Sequence, residues 1–256
     1  TKTVKWADLL RGQSLILTQP QVVEGFPKID PAKQTLVQME LAQGYILVGV
    51  RDEEDGKFQS GWVLIDCGVE TEPHGNHLDW IYARTPRVRA VQLDDQQGNP
   101  AHVYTYDDVF YAANDQKNGF TRLAPSEISS TDDEAAIRKK AAFHAGGGGH
   151  ITLAVSGKKV AFSSWIDREG PNKGRVDLTL ITTAGTDKPT TTIHLPSGGI
   201  HGATACANKV FLAPSDGIDW VEVSDGIPTD PQQVKIQHID LGKIGDKPRR
   251  TGAFTT

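Results

Sequence analysis

The sequence predicts an all-β protein, a β-propeller of four-stranded antiparallel blades with repeats of about 50 residues. A histidine opens a short β-like run that closes on a valine and a phenylalanine at three places, beginning at His102, His150 and His201. The three copies lie 48 and 51 residues apart, a spacing typical of propeller blades. Each copy leads into a hairpin pattern, and a unit of this size must stack on copies of itself to bury its sheet.

The hairpin of each unit consists of two alternating apolar runs around a turn rich in Asp, Gly and Asn. It is visible in VFYAANDQKNGFTRL from Val109, VAFSSWIDREGPNKGRVDLTLI from Val160 and VFLAPSDGIDWVEV from Val210. An earlier copy from Ile46 keeps the hairpin without the histidine, so four hairpins are visible. A β-sandwich also contains many short strands, but nothing in a sandwich requires a period near 50, and the propeller is therefore favoured.

A single propeller domain is expected over residues 1–256, with an N-terminal closing segment at 1–40 and recognisable repeats over 45–240. By this register a further inner strand should begin at Arg250. Two alternatives are open. Either residues 1–40 return to complete a propeller of about five blades, or the chain is part of a larger propeller, and the second is favoured because the last segment looks like the start of a repeat.

One helix is expected, as an insertion between blades at about 130–142. In the segment SSTDDEAAIRKKAAF, Thr131 or Ser130 can cap the helix, acidic residues occupy its first turn and basic residues its last turn. The pattern therefore predicts a short helix on the surface of the propeller.

Composition and charge argue against a nucleic acid partner and against a membrane span. The chain has 27 Lys and Arg against 32 Asp and Glu, with no basic stripe, so no nucleic acid partner is expected. No run approaches the roughly 20 apolar residues of a membrane span.

A chain that begins at Thr1 is consistent with a processed, periplasmic or secreted protein, although a trimmed chain would look the same. Cys67 and Cys206 stand in strand-like contexts and are expected to be core thiols. The alternative is a disulfide, which would need the first and fourth repeats to touch.

Two histidines form an H-x-x-H pair in the segment EPHGNHLDW, at His74 and His77. Acidic residues flank the pair, and imidazole with carboxylate suits Zn(II), Cu(II) or Ni(II). The alternative is a solvated or hydrogen-bonding pair at a loop.

The in-register histidines should face one mouth of the central channel, because the loop that enters each innermost strand lies on one rim of a propeller. Two roles are open for them. Repetition favours a structural lock between neighbouring blades, most of all for His102. Convergence favours a set of metal ligands, because His144 from the adjoining glycine-rich loop could join the three imidazoles at this rim.

The glycine run at 146–149 precedes a strand rather than a helix, so it predicts a tight crossover between blades and not a phosphate cradle. The sequence contains no G-x-S-x-G, H-E-x-x-H or C-x-x-C motif. No residue set therefore argues for an enzyme.

Two segments, GGIHGATACANKVFLAPSDGIDWVEV and FHAGGGGHITLAVSGKKVAFSSWIDREGPNKGRVDL, resemble blades of bacterial secreted propellers. Among these they are similar to the periplasmic zinc metallochaperones that serve zinc ABC transporters, over residues 45–256. The resemblance implies export, a propeller of more blades, and zinc held by histidines and a carboxylate near the channel mouth for transfer to a solute-binding protein. His201, His150 and His77 carry over as candidate ligands. The sequence departs from the family in lacking an obvious His-rich flexible loop.

The sequence thus predicts an exported metal-binding or metal-delivering propeller, with zinc as the first candidate metal and a protein as partner. The candidate ligands are His74, His77, His144, His150 and His201. The alternative is a non-catalytic interaction scaffold, or a structural subunit of an assembly, in which the histidines lock the blades.

Overall fold

Four four-stranded antiparallel sheets follow one another along the chain in the computed structural model, which describes residues 2–54, 57, 59–223 and 230–254. Within each sheet the strands pair in chain order, and the first strands of successive sheets lie side by side. The all-β propeller fold is thereby confirmed. We call the four sheets blades 1 to 4 and the first strand of each its inner strand.

The N-terminal residues and blade 1 contain ten strands. The bounds are β1 Lys5–Trp6, β2 Leu9–Arg11, β3 Leu15–Leu17, β4 Gln21–Val22, β5 Gln34–Ala42, β6 Tyr45–Asp52, β7 Ser60–Asp66, β8 Val69–His74, β9 His77–Tyr82 and β10 Arg87–Asp94. Blade 1 has the order β5-β6-β7-β10, and the hairpin β8–β9 is inserted between its last two strands.

Blades 2 to 4 follow with the same order. The bounds are β11 Val103–Tyr106, β12 Val109–Asn114, β13 Gly119–Leu123, α1 Glu134–Lys140, β14 Ala142–Ala145, β15 Leu153–Ser156, β16 Val160–Ser164, β17 Arg175–Leu180, β18 Thr191–His194, β19 Ala203–Cys206, β20 Lys209–Leu212, β21 Ile218–Glu222 and β22 Ile236–Ile239. Two short strands, β23 Lys243–Ile244 and β24 Lys247–Pro248, come after blade 4, and short 3₁₀ turns lie at Asp115–Lys117, Pro125–Glu127 and Pro231–Gln233.

The first blade takes in residues that the sequence analysis assigned to the N-terminal segment, because its inner strand is β5. A two-residue turn at Gln43 and Gly44, with φ of 46° and 78°, connects β5 to β6. Positive φ at both central residues is the conformation of the tight hairpin turns that match strand twist. Gln-Gly is a weaker signal for this turn than Asn-Gly. The strand-like run TLVQMEL was therefore assigned to the N-terminal closing segment and not to the blade that continues from Ile46.

The hydrophobic core lies between blades rather than within one sheet. One cluster joins residues of blades 3 and 4, such as Phe162 and Val210, and another joins blades 2 and 3 through Tyr111 and Leu153. This is the packing that stacked sheets require, since each blade buries its faces against its neighbours. In the N-terminal segment, Val23 packs in a cluster on the strands of blade 1.

Helix α1 is shorter than the predicted insertion and is not a purely surface element. Ile137 is fully buried in the cluster between blades 1 and 2. Asp133, rather than Thr131 or Ser130, caps the helix, because its side chain accepts the N–H of Ala136 at 2.8 Å. The two-turn length leaves room for only one inward residue, so the apolar face is hard to recognise in the sequence.

The glycine run forms the tight crossover from blade 2 to blade 3. Gly146, Gly147 and Gly149 have φ of 146°, 78° and 76°, which other residues rarely adopt. A Cβ on Gly148 would lie 2.4 Å from the Trp165 ring. The prediction from the sequence is correct here.

Neither cysteine is in the core. Cys67 is half-buried and Cys206 is exposed, and both are free thiols, so the expectation of two buried thiols was wrong. None of the helices among the described residues has the length and apolar character that a membrane span requires.

Candidate metal centre at the channel mouth

A cavity of about 300 Å³ lies between the inner strands of the blades. Its lining includes Gln38 and Glu40 of β5, Tyr104 and Tyr106 of β11, and Thr204 of β19. The C-terminal segment 252–254 closes one side, next to His201, and Thr255 and Thr256 of the predicted further strand lie outside the described residues. The cavity is therefore the central channel of the blade stack, and it is lined mainly by polar side chains.

The in-register histidines meet at one mouth of this channel. The ring centroids of His102 and His150 are 4.7 Å apart, and those of His150 and His201 are 4.9 Å apart. Each residue precedes the inner strand of its blade, so the repeat in sequence brings equivalent positions together in space. We call these residues the mouth histidines.

Two of the mouth histidines share one hydrogen bond. The Nε2 atoms of His102 and His150 lie 2.9 Å apart, so one of the two nitrogens carries the proton. The Nδ1 atom of His102 lies 3.2 Å from the Gln38 side-chain oxygen, which can only accept and also accepts the Val103 N–H. His102 therefore carries its proton on Nδ1, and the Nε2–H of His150 donates to it.

A buried carboxylate lies behind His150. Asp115 begins the 3₁₀ turn after β12 and is 4% exposed. Its Oδ2 atom lies 3.5 Å from His150 Nδ1 and 3.5 Å from an Arg51 guanidinium nitrogen. Its Oδ1 atom accepts the Ile151 N–H at 3.0 Å. Asp115 thus places a carboxylate next to Nδ1 of His150, at the boundary between blades 2 and 3.

Sequence reasoning missed Asp115 as a residue of the site. It stands in the turn segment NDQKNG, where an Asp is expected for turn formation alone. The one signal that distinguishes it is its place in the hairpin turn beside the strand that His102 opens.

The surroundings of His102 at the channel mouth favour the neutral form of its side chain. Burial, followed by the nearby His150, lowers the pKa of His102 to about 4. Burial also raises the pKa of Glu40 and those of Tyr104 and Tyr106. His102 is therefore neutral at pH 7, which is the state in which an imidazole binds a metal.

His201 contributes a stacked ring rather than a convergent nitrogen. Its plane is inclined by only 21° to that of His150. Since the lone pair of an imidazole nitrogen lies in the ring plane, two rings that stack face to face do not point at one ion. His102 and His150 are the convergent pair, and His201 must rotate to join them.

His144 does not reach the mouth. It lies on β14, the outer strand of blade 2, where it is fully buried and stacks on Phe120 with centroids 5.2 Å apart. Its Nε2 atom accepts the Thr182 N–H at 3.0 Å, and Nδ1 lies 3.2 Å from the Ala142 carbonyl oxygen. The glycine run separates it from His150. His144 therefore lies on the outer strand of blade 2, whereas His150 precedes the inner strand of blade 3.

His74 and His77 lie apart from the mouth, at the tip of the β8–β9 hairpin. Both are exposed, and Asp79 lies between them. Among the described residues, His74, His77 and Asp79 form the one set with three ligand atoms within 4.8 Å of one another. The mouth histidines do not meet that criterion as they stand.

Neither a family model nor a curated protein matches the chain. Among solved structures it is similar to AztD from Citrobacter koseri. The apo form aligns with a TM-score of 0.50 at 15% identity, over 86% of this chain and 61% of that one. A second AztD structure aligns with a TM-score of 0.53 at 15% identity, over 93% and 57%. The chain thus spans 57% to 61% of the length of AztD, and the likeness shows the fold.

A PQQ-bound aldose sugar dehydrogenase from Streptomyces coelicolor aligns less well. Its TM-score is 0.45 at 12% identity, over 93% of this chain and 86% of that one.

Proposed function

We propose that this protein is an exported propeller that binds a divalent transition metal, zinc first, at the mouth of its channel and delivers it to a protein partner. The observation that carries the proposal is the contact between His102 and His150, whose Nε2 atoms lie 2.9 Å apart at the channel mouth. The sequence resemblance to periplasmic zinc metallochaperones and the fold likeness to AztD support it.

The spacing of the pair fits a shared metal. Zinc–nitrogen bonds of about 2.0–2.1 Å in a tetrahedral site put two ligand nitrogens about 3.3 Å apart. The two Nε2 atoms are therefore within a few tenths of an ångström of that spacing, with one proton between them. On metal binding this proton would move from Nε2 to Nδ1 of His150, on the side of Asp115. Protons compete with the metal for the imidazole nitrogens, so the metal affinity should fall as the pH falls.

The surroundings of the pair fit ligand roles as well. Gln38 holds the proton of His102 on Nδ1, which leaves Nε2 as the binding atom. Asp115 lies behind Nδ1 of His150, in the place of the carboxylate that commonly orients a metal-bound histidine. Two imidazoles leave coordination positions open, so a partner's ligand or a rotated His201 can complete the sphere. Open positions suit transfer better than permanent structural binding.

Metal titration tests the proposal. Metal-stripped protein is titrated with Zn(II) in competition with a chromophoric chelator, for the wild type and for the double variant His102→Gln with His150→Gln. His194→Gln, an exposed histidine on β18, is the matched control. The double variant should lose one equivalent of zinc and the control should lose none. If the double variant folds and binds zinc with unchanged stoichiometry and affinity, the proposal is wrong.

The same contacts support a second candidate function, an interaction scaffold in which the histidines lock the blades. Gln38 of blade 1 accepts the Val103 N–H of blade 2 at 2.9 Å, and His102 bonds to His150 of blade 3. In this case the double variant loses thermal stability in metal-free buffer, and zinc leaves the Tm of the wild type unchanged. A Tm that rises with zinc in the wild type and not in the double variant favours the metal role.

A further inference from the structure

The β8–β9 hairpin is an insertion in blade 1 whose residues are nearly all exposed. Its strands pair from Val69 opposite Tyr82 to His74 opposite His77, around the turn at Gly75 and Asn76. Every residue of β8 after Val69 and every residue of β9 is exposed. A two-stranded hairpin of this length is only marginally stable by itself. A further interaction that ties its strands together would therefore stabilise it.

The two faces of the hairpin differ in chemistry. Residues opposite each other in an antiparallel pair project on the same face, and the face alternates along the strand. One face therefore carries the pairs His74–His77, Glu72–Asp79 and Glu70–Ile81, and the other carries Pro73–Leu78, Thr71–Trp80 and Val69–Tyr82. All the metal-ligating side chains of the hairpin lie on one face.

We infer that the hairpin tip is a second, independent site for a divalent transition metal, held by His74, His77 and Asp79. The Nδ1 atom of His74 lies 2.9 Å from Asp79 Oδ2, and the Nε2 atom of His77 lies 3.4 Å from Asp79 Oδ1. These separations bracket the edge of about 3.3 Å of a tetrahedral zinc site. The two contacts are to different oxygens of Asp79, and one ligand atom from each of the three residues lies within 4.8 Å of the other two.

The rings are oriented for this role. The planes of His74 and His77 are tilted by 37° with centroids 5.1 Å apart, so these rings do not stack as His150 and His201 do, and a nitrogen of each lies within 4.8 Å of the other. The Nδ1 atom of His77 lies 3.3 Å from the Asn76 side-chain oxygen, which accepts a proton there and leaves Nε2 free to bind. The turn thus holds His77 in the tautomer that the site needs.

Glu72 lies on the same face of the hairpin and can supply a fourth ligand. Glu72 is paired with Asp79 across the strands and is exposed. Glu70, one pair further from the tip, forms an ion pair with Arg84. Two imidazoles and two carboxylates are a ligand set that suits Zn(II), Cu(II) and Ni(II). Since His74, His77 and Asp79 are all exposed, the site should exchange its metal more readily than the channel mouth.

The inference does not rest on the proposed function of the mouth. It is tested in the double variant His102→Gln with His150→Gln, in which Zn(II) or Co(II) can bind only elsewhere. This protein should bind about one equivalent of Co(II), with the visible absorption of a tetrahedral ion. Adding His77→Gln should weaken binding at least tenfold, and adding His194→Gln instead should change nothing. Equal binding with and without His77 would overturn the inference, and so would no binding up to millimolar metal.

A second measurement on the wild type covers the case in which the double variant does not fold. Histidines are labelled with diethyl pyrocarbonate, with and without Zn(II), and located by mass spectrometry. Zinc should protect His74 and His77 from labelling while leaving His194 unprotected. If zinc protects the mouth histidines alone, the hairpin site is overturned and the proposed function is retained. If zinc protects His74 and His77 alone, the hairpin site is retained and the proposed function is overturned.

Discussion

The Nε2 atoms of His102 and His150 lie 2.9 Å apart across the boundary of blades 2 and 3, although 48 residues separate them in the chain. The contact joins equivalent positions of two repeats, so two residues one repeat apart in the sequence form a hydrogen bond in the structure. The residues around this pair determine whether it holds a proton or an ion.

The pH dependence of stability should reveal the lowered pKa of the half-buried His102. Its pKa of about 4 in the folded protein is below the 6.5 of the free side chain, so the unfolded chain takes up the proton first. The contribution of a neutral His102 to stability is therefore complete above pH 6.5 and is lost as the pH falls toward 4. The groups that face it are His150, His201, Asp115 and Arg51.

The comparison that isolates this effect is between wild type and His102→Gln, unfolded with urea in EDTA at pH 7.5 and pH 4.5. Between these values the wild type should lose about 1–3 kcal/mol more unfolding free energy than the variant. Equal losses in both proteins would show that His102 titrates normally.

The buried Asp177 should be a main support of blade 3. Its Oδ1 atom accepts from Arg175 Nε at 2.9 Å and from the Thr192 hydroxyl at 2.7 Å. Its Oδ2 atom accepts from Trp165 Nε1 at 2.7 Å and from the Gly147 N–H at 3.0 Å. Each carboxylate oxygen of Asp177 accepts hydrogen bonds from two donors. If either oxygen were replaced by an amide NH₂ group, that group would face only donors and could form no hydrogen bond with them.

Asp177→Asn should therefore lower the free energy of unfolding by about 3–5 kcal/mol. The exposed Asp187→Asn is the control and should change it by less than about 0.5 kcal/mol. Urea unfolding measures both, and a loss below 1 kcal/mol for Asp177→Asn would contradict the network.

The crossover at Gly147 should tolerate no side chain. Its φ is 78°, and a Cβ would lie 2.8 Å from the Ser164 carbonyl oxygen. Gly157 has φ of 57° with no atom within 4 Å of the same position, so Gly157→Ala carries the backbone strain without the clash. Gly157→Ala should cost about 1–2 kcal/mol, and Gly147→Ala about 2–5 kcal/mol. Equal costs in urea unfolding would show that the crossover can relax.

The two thiols should react with Ellman's reagent at different rates. Cys206 is exposed and should react in a fast phase. Burial, followed by the charge of Asp66, raises the pKa of Cys67, and the thiolate is the reactive form. Cys206→Ser should remove the fast phase and Cys67→Ser the slow one. Thiols that become detectable only after reduction would contradict the free state of both cysteines.

The propeller could be predicted because its signals are local. The hairpins from Val109, Val160 and Val210 are contained in short segments, and their spacing is read directly from the chain. The strand β5 was expected, but it was not assigned to the first blade, because Gln43 and Gly44 are an uncommon pair for a tight turn. His144 was misplaced because sequence proximity to His150 says nothing about the crossover between them.

The sequence by itself determined the blade pattern, the register of the mouth histidines and the H-x-x-H spacing that sets His74 opposite His77 across a two-residue turn. Each of these follows from strand periodicity and turn length, which depend on neighbours in the chain. Only the tertiary structure decided that His102 and His150 converge while His201 stacks, and that Asp115 lies behind them. Ring planes and the approach of a buried carboxylate depend on how blades pack, and packing joins residues that no local pattern connects.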